Sequence, residues 1–186
     1  MPEITKTELR LKILTLLRNQ KEEERLEKSR AVQAKLFAMA EFKKLKTILF
    51  YMPFDGEVDT LNMMKLAKKL GKKIGLPRIL RQEKKLLPVF VESFEQLEKG
   101  PYGIEQPKAA EDHMMDLRNI DMVIVPGLAF DRKNYRLGRG EGYYDRFLKL
   151  LPSVIPTVGL AFDFQRINTL PQKAEHDMPV RHVLSN

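Results

Sequence analysis

The sequence predicts an α/β fold: a three-layer, Rossmann-like arrangement with a mostly parallel sheet, mixed at one edge, and helices on both faces. Three observations predict it. Short runs of β-forming residues at 47–51, 73–77, 121–125 and 155–162 alternate with segments of helical periodicity. The strand–helix–strand order over residues 47–77 calls for a crossover, which parallel pairing supplies and strand twist makes right-handed. The third is size: 186 residues, 43% apolar, bury a core without covalent staples. One domain spanning residues 1–186 is expected, with N-terminal helices of residues 5–43 packed on the sheet.

Residues 5–43 read as two helices joined near Asn19 and Gln20. Thr5 followed by Glu8 is the capping-box pattern, in which each side chain satisfies the other residue's backbone N–H. Leu9, Ile13, Leu16 and Leu17 then recur at helical spacing and form a core stripe. Thr47 to Tyr51 is a buried strand stopped by Pro53. Val58 to Leu70 is a helix ended by Gly71, and Lys73 to Pro77 is the next strand. Arg78 to Val91 holds a hairpin or edge strands, and a loop with Pro101, Gly103 and Pro107 follows. Asp121 to Val125 is the clearest central strand. After Pro126 and Gly127 a long loop leads to a helix at 141–150. Ile155 to Phe162 is a further strand, and Val180 to Leu184 is the last. In open parallel sheets ligands bind at the carboxyl ends of strands, so the segments after the strands carry the functional signal.

Composition narrows the chemistry. The chain has no cysteine, which excludes disulfides, thiolate nucleophiles and Cys-ligated zinc. His113, His176 and His182 are scattered, so a His-rich metal site is not expected. No secretory leader and no membrane-length apolar run is visible, and a cytoplasmic protein with no membrane partner is expected. Lys and Arg number 33 against 25 Asp and Glu, a net charge of +8, which favours anionic partners. Most lysines in such a chain simply solvate helix faces.

The informative stretch runs from Pro126 to Leu148. It leaves a strand, places glycines at 138, 140 and 142, and enters a helix. Glycine admits positive φ and close backbone approach, and a glycine loop at a helix N-terminus is suited to a phosphate. Arg136 and Arg139 add forked, permanently charged donors. The spacing is G-x-G-x-G, which is not the dinucleotide fingerprint, and no Gly-Lys-Ser/Thr of a P-loop occurs. The plain alternative is a glycine-rich surface loop. Tyr143 and Tyr144 point about 100° apart on a helix, so one is expected in the core and one in the site. Asp145, in the first helical turn, suits either the helix dipole or a magnesium ion.

The run PGLAFDRKNYRLGRGEGYYDRFL closely resembles the signature of the 5-formyltetrahydrofolate cyclo-ligase family, also called methenyltetrahydrofolate synthetases. The likeness extends to Lys6-Thr7-Glu8-Leu9-Arg10, to Tyr51 through Thr60, and to His176-Asp177-Met178-Pro179-Val180. Asn134 departs from a common glycine but tolerates the left-handed conformation.

The resemblance implies a ligase of one-carbon metabolism that uses ATP and Mg²⁺ to convert 5-formyltetrahydrofolate into 5,10-methenyltetrahydrofolate, with ADP and phosphate as products. It implies that Lys6, Thr7, Glu8, Leu9 and Arg10 meet the ATP, with Lys6 and Arg10 on its phosphates. It likewise implies that Arg136, Leu137, Gly138, Arg139, Gly140, Glu141, Gly142, Tyr143 and Tyr144 cradle the nucleotide. Arg139 is the residue expected to stabilise the transferring phosphoryl group. Asp145 and Asp177 resemble the magnesium ligands. Met52, Glu57 and Tyr144 resemble folate contacts, Glu57 accepting from pterin N–H donors. Each has a plainer alternative: a solvated basic face for Lys6 and Arg10, a first-turn acid for Glu57, a loop cap for Asp177. Asp131, Asp163 and Gln165 read as structural, with Asp131 bracing the long loop.

The expected partners are ATP and 5-formyltetrahydrofolate, with or without a polyglutamate tail, and a monomer is expected. Two other readings compete. A basic RNA-binding module would fit the charge, but no basic cluster interleaved with aromatics is visible. A catalytically inactive nucleotide- or folate-binding protein would keep the fold without turnover.

Overall fold

The structure is a computed structural model, and it describes residues 4–108, 113–171 and 177–186. Helix α1 (Lys6–Arg18) starts at Thr5, whose hydroxyl accepts from Glu8 N while the Glu8 carboxylate accepts from Thr5 N at 2.8 Å. The capping box is therefore formed as the spacing predicts. α1 buries Leu9, Ile13 and Leu17. Leu16, expected in the same stripe, is 40% exposed. It stands 100° around the helix from its neighbour Leu17, at the edge of the buried row on the Leu9 side. α2 (Glu22–Ala38) buries Ser29, Val32 and Leu36, and the short α3 (Ala40–Lys44) anchors Phe42.

β1 (Thr47–Leu49) enters the centre of the sheet. α4 (Thr60–Lys69) follows, capped by Asp59, whose Oδ1 accepts from Leu61 N at 3.1 Å. The helix therefore begins two residues later than the expected Val58. Gly71 stands just past its C-cap Leu70 at φ +81°, the left-handed conformation that ends helices. β2 (Lys73–Leu80) runs three residues beyond the expected end at Pro77. Its last β1 partner is Gly75, so the missing N–H of Pro77 costs the β1 ladder nothing. β3 (Lys85–Phe90) closes an antiparallel hairpin onto β2 and forms the sheet edge. A small hairpin of β4 (Leu97–Lys99) and β5 (Glu105–Pro107) follows, in a segment the sequence reads as loop.

β6 (Met122–Val125) pairs in parallel with β1. The long loop after it carries a second small hairpin, β7 (Ala129–Phe130) with β8 (Arg136–Leu137), before α5 (Tyr143–Leu150). β9 (Thr157–Leu160) and β10 (His182–Leu184) complete the sheet in the order β10-β9-β6-β1-β2-β3, parallel throughout except at β3. Two-residue alternation decides the layers. Ile48, Met122, Ile124 and Val158 pack with the buried faces of α1, α2 and α4. Leu49, Val123 and Val125 point the other way, onto Phe147 and Leu148 of α5. The three-layer α/β architecture with a mixed edge stands as expected. Among the described residues no helix is long and apolar enough to cross a membrane.

Candidate active site

A cavity of about 620 Å³ opens over the carboxyl ends of β1, β2 and β6. Tyr51 and Met52 follow β1, Pro77 and Ile79 come from β2, and Pro126 and Gly127 follow β6. The glycine loop from Arg136 to Asp145 forms one wall, and Lys6 and Arg10 of α1 form another. Tyr102, Ile104, Glu105 and Gln106 of the β4–β5 hairpin close the third side.

The long loop is shaped from within by Asp131. This buried carboxylate accepts from Lys133 N at 2.8 Å and Tyr135 N at 3.0 Å, folding the chain back into β8. Asn134 sits in that turn at φ +61°, the left-handed conformation that its side chain tolerates. Gln165, also buried, donates to the carbonyls of Gly127 and Leu128 and fixes the strand end beneath the cavity. At the far end of the loop Gly142 takes φ +67° as N-cap of α5. Among the described residues no side chain caps that helix start.

Three charged constellations meet here. In the first, Lys6 Nζ lies 2.9 Å from Asp177 Oδ2. In the second, Arg136 is almost wholly buried, with Nη2 3.1 Å from Asp145 Oδ1. Its Nε and Nη2 nevertheless lack a well-formed hydrogen bond. Burial pulls its pKa below the usual guanidinium range, opposed chiefly by Asp145. The Met178 N–H also points at Asp145 Oδ1, at 3.4 Å, which brings the segment of Asp177 against the first turn of α5. In the third, Arg139 reaches Glu57 Oε1 at 2.9 Å and Asp55 Oδ2 at 3.3 Å. Glu57 is buried, and its Oε2 accepts from Phe54 N at 3.1 Å. Burial raises the Glu57 pKa, and Arg139 partly offsets it. Tyr51 and Tyr144 stay neutral phenols, both pushed up by burial. Arg10 Nε donates to Gly138 O at 3.0 Å and ties α1 to the loop.

This wall of cations, glycines and an uncapped helix start is suited to phosphates, while the Tyr51, Met52 and Tyr144 side suits a flat polar ring. A family model described as the 5-formyltetrahydrofolate cyclo-ligase family matches residues 3–186. The chain belongs to the 5-formyltetrahydrofolate cyclo-ligase family. A curated relative from Mus musculus with that name is 34% identical over 185 residues, covering 95% of this chain and 91% of the relative. The solved 5,10-methenyltetrahydrofolate synthetase of Aquifex aeolicus is similar at 37% identity and TM-score 0.84, covering 97% of this chain and 89% of that one. A synthetase structure from Mycoplasma pneumoniae shares the fold at TM-score 0.78 and 23% identity, covering 98% and 99%.

Within this cyclo-ligase frame, the cavity gathers Lys6, Arg10, Met52, Glu57, every residue from Arg136 to Asp145, and Asp177. Thr7, Glu8 and Leu9 do not line it. Leu9 is core, Glu8 is engaged by the cap and Thr7 faces solvent on the other side of the helix turn. The first-turn role considered for Glu57 is not met: α4 begins at Thr60 with Asp59 as its N-cap and no acid in its first turn. Tyr143 and Tyr144 both line the cavity, so neither is purely core. Tyr144 also packs edge-on against Phe147 of the core. His176 lies outside the described residues. Asp55 and the β4–β5 hairpin are the parts that sequence reasoning missed. Asp55 had a signal in its Asp-Gly turn dipeptide. The hairpin had none.

The residues also bear on magnesium. Among the described residues no cluster of three or more His, Cys, Asp or Glu stands ready to hold a metal alone. Two carboxylates, Asp145 and Asp177, line the cavity beside Lys6 and Arg136. That donor set fits Mg²⁺, which is commonly held by one or two carboxylates together with nucleotide phosphates.

Proposed function

We propose that this chain converts 5-formyltetrahydrofolate into 5,10-methenyltetrahydrofolate using ATP and Mg²⁺, with release of ADP and phosphate. The observation that carries the reading is the single cavity with a cationic glycine-loop wall on one side and buried Glu57 on the other. Both walls border the same cavity, which supports the reading that folate and nucleotide bind side by side.

The formyl oxygen attacks the γ-phosphorus, and the bond to the β–γ bridging oxygen breaks to release ADP. The neighbouring N10 then attacks the activated formyl carbon. The C–O bond to phosphate breaks, N10 gives up its proton, and phosphate leaves. An amide oxygen is a poor leaving group, and phosphorylation makes it a good one. Catalysis of this kind rests on positioning and charge stabilisation rather than on a strong base.

Lys6 and Arg10 share a face of α1 and take ATP phosphates. Residues Arg136 to Tyr144 cradle the nucleotide, with Arg136 offering buried donors. Arg139 stabilises the transferring phosphoryl group. Met52 and Tyr144 flank the pterin, and Glu57 accepts its N–H donors. Asp145 and Asp177 hold the Mg²⁺, whose contribution when bound is neutralisation of phosphate charge. The test is absorbance of methenyltetrahydrofolate formed from 5-formyltetrahydrofolate and MgATP, with ATP or Mg²⁺ omitted in turn. Product that requires both supports the reading. Folded protein that forms none sinks it and leaves the binding-protein alternative.

A further inference from the structure

Arg139 stands at the junction of the two halves of the cavity and has two carboxylate anchors. The shorter contact, 2.9 Å, is to Glu57, and the longer, 3.3 Å, is to Asp55. The guanidinium also lies over the Phe54 ring, 4.8 Å from its centroid. Asp55 is itself held from behind. Arg18 of α1 clamps it with two parallel bonds, Nε to Oδ1 and Nη2 to Oδ2, each 2.8 Å. The turn beneath it is equally fixed. Asp55 has φ +56° and Gly56 φ +82°, and a Cβ on Gly56 would fall 2.3 Å from the carbonyl oxygen of Leu17. Asp55 is therefore a carboxylate fixed from behind that faces Arg139, whose Nη2 also donates to Phe54 O at 3.4 Å.

Glu57 cannot serve two partners equally. Its Oε1 holds Arg139 and its Oε2 holds Phe54 N–H. A pair of pterin donors meeting that carboxylate edge-on competes with Arg139 for Oε1. Arginine released from its shorter anchor would recover rotamer freedom that must be lost again before phosphoryl transfer. The second carboxylate removes that problem.

We propose that Asp55 is a positioning residue for the reaction: it retains Arg139 at the junction once the substrate takes Glu57, so the guanidinium meets the transferring phosphoryl group already aligned. This rests on the function proposed above. It adds a chain of charges, Arg18 to Asp55 to Arg139, that joins α1 to the glycine loop. α1 also carries Lys6 and Arg10, so one helix sets both the phosphate contacts and the arginine's second anchor.

Asp55→Asn is the informative variant, because Asn tolerates positive φ and preserves shape while the charge is removed. The expected result is a fall in kcat of about 10²-fold, the scale of losing alignment by about 1 Å. The KM for folate, and a Kd for 5-formyltetrahydrofolate measured by equilibrium dialysis, stay within about twofold, the split expected when only a transition-state contact is lost. Arg18→Ala, at an exposed position where folding is not at risk, lowers kcat in the same direction by a smaller factor with the same split. A purely structural role moves kcat, folate affinity and the unfolding midpoint together, and that pattern in both variants overturns the proposal. Asp55→Asn with undiminished kcat in an assay where the wild-type chain turns over overturns it alone. A wild-type chain that forms no product overturns the underlying function as well.

Discussion

Lys6 Nζ and Asp177 Oδ2 lie 2.9 Å apart although 171 residues separate them in the chain. The contact joins the start of α1 to the segment before β10 and places a cation and a carboxylate on one cavity wall. If Asp177 holds Mg²⁺ with the nucleotide, Lys6 must turn from the carboxylate to a phosphate when MgATP binds. The two residues then fail differently. Asp177→Asn raises the Mg²⁺ concentration for half-maximal rate by at least about tenfold, the lower end of what even second-layer metal partners cost. Lys6→Ala raises the KM for ATP while leaving folate affinity unchanged. Rates measured across a Mg²⁺ series at fixed ATP, and across an ATP series at fixed Mg²⁺, separate the two. Equal Mg²⁺ dependence in wild type and Asp177→Asn removes Asp177 from the metal.

Glu57 gives a prediction with a pH sign. Burial raises its pKa, with Arg139 opposing. The folded state thus holds this proton more tightly than the unfolded chain. Stability from Glu57 is fully present below the unfolded value near 4.5 and is lost as pH rises through the raised folded value. Glu57→Gln lacks this loss, so its stability relative to wild type improves as pH rises through that window. Urea unfolding of both proteins at a series of pH values measures it. A constant difference across the window contradicts the shift. In binding, the same variant weakens 5-formyltetrahydrofolate more than ATP, because the amide presents only one acceptor where the carboxylate presents two. Equal weakening of both ligands removes Glu57 from the pterin.

Most of the frame was legible because it follows from periodicity. The Thr5–Glu8 cap, the buried row on α1 and the central strands at 47 and 122 all stand where the spacing puts them. The glycine loop was legible because its residue types are costly anywhere else. What failed has local causes. Leu16 is apolar but falls at the edge of the buried arc, and α4 starts at Thr60 because the Asp59 carboxylate caps it there. The β4–β5 and β7–β8 hairpins have strands of two or three residues, too short to show a period. The contact of Asp55 with Arg139 and the place of Tyr102 in the cavity lining arise across the fold, which no local pattern contains. Tyr102 reaches the cavity only because the hairpin folds it there, at φ +64°.

Asp131 is a structural prediction rather than a chemical one. It is 1% exposed, and its carboxylate satisfies the N–H groups of Lys133 and Tyr135. Asp131→Ala leaves both donors without that acceptor, at about 1–3 kcal/mol for each that stays buried. The loop it shapes presents Arg136 and the glycines, so activity falls along with stability. Chemical denaturation and turnover measured on the same sample check this. A variant that keeps full stability but loses activity assigns Asp131 to the chemistry instead.

Asp145 has two duties that a single variant can separate. It stands in the first turn of α5, where a carboxylate favours the helix start, and it also faces buried Arg136 at 3.1 Å. Removing one partner of a buried pair leaves an uncompensated charge and costs about 3–5 kcal/mol. Asp145→Asn is therefore expected to lower stability even before any ligand is added. A purely structural role stops there, and MgADP then stabilises the variant as much as it stabilises wild type. A metal-holding role adds a second loss: the thermal shift produced by MgADP over ADP alone shrinks or disappears in Asp145→Asn, while the shift produced by 5-formyltetrahydrofolate persists. Thermal unfolding with ADP, with MgADP and with the folate measures all three quantities in one series. An undiminished Mg²⁺-dependent shift in the variant confines Asp145 to the helix and its arginine, and leaves Asp177 as the carboxylate that must hold the ion with the phosphates.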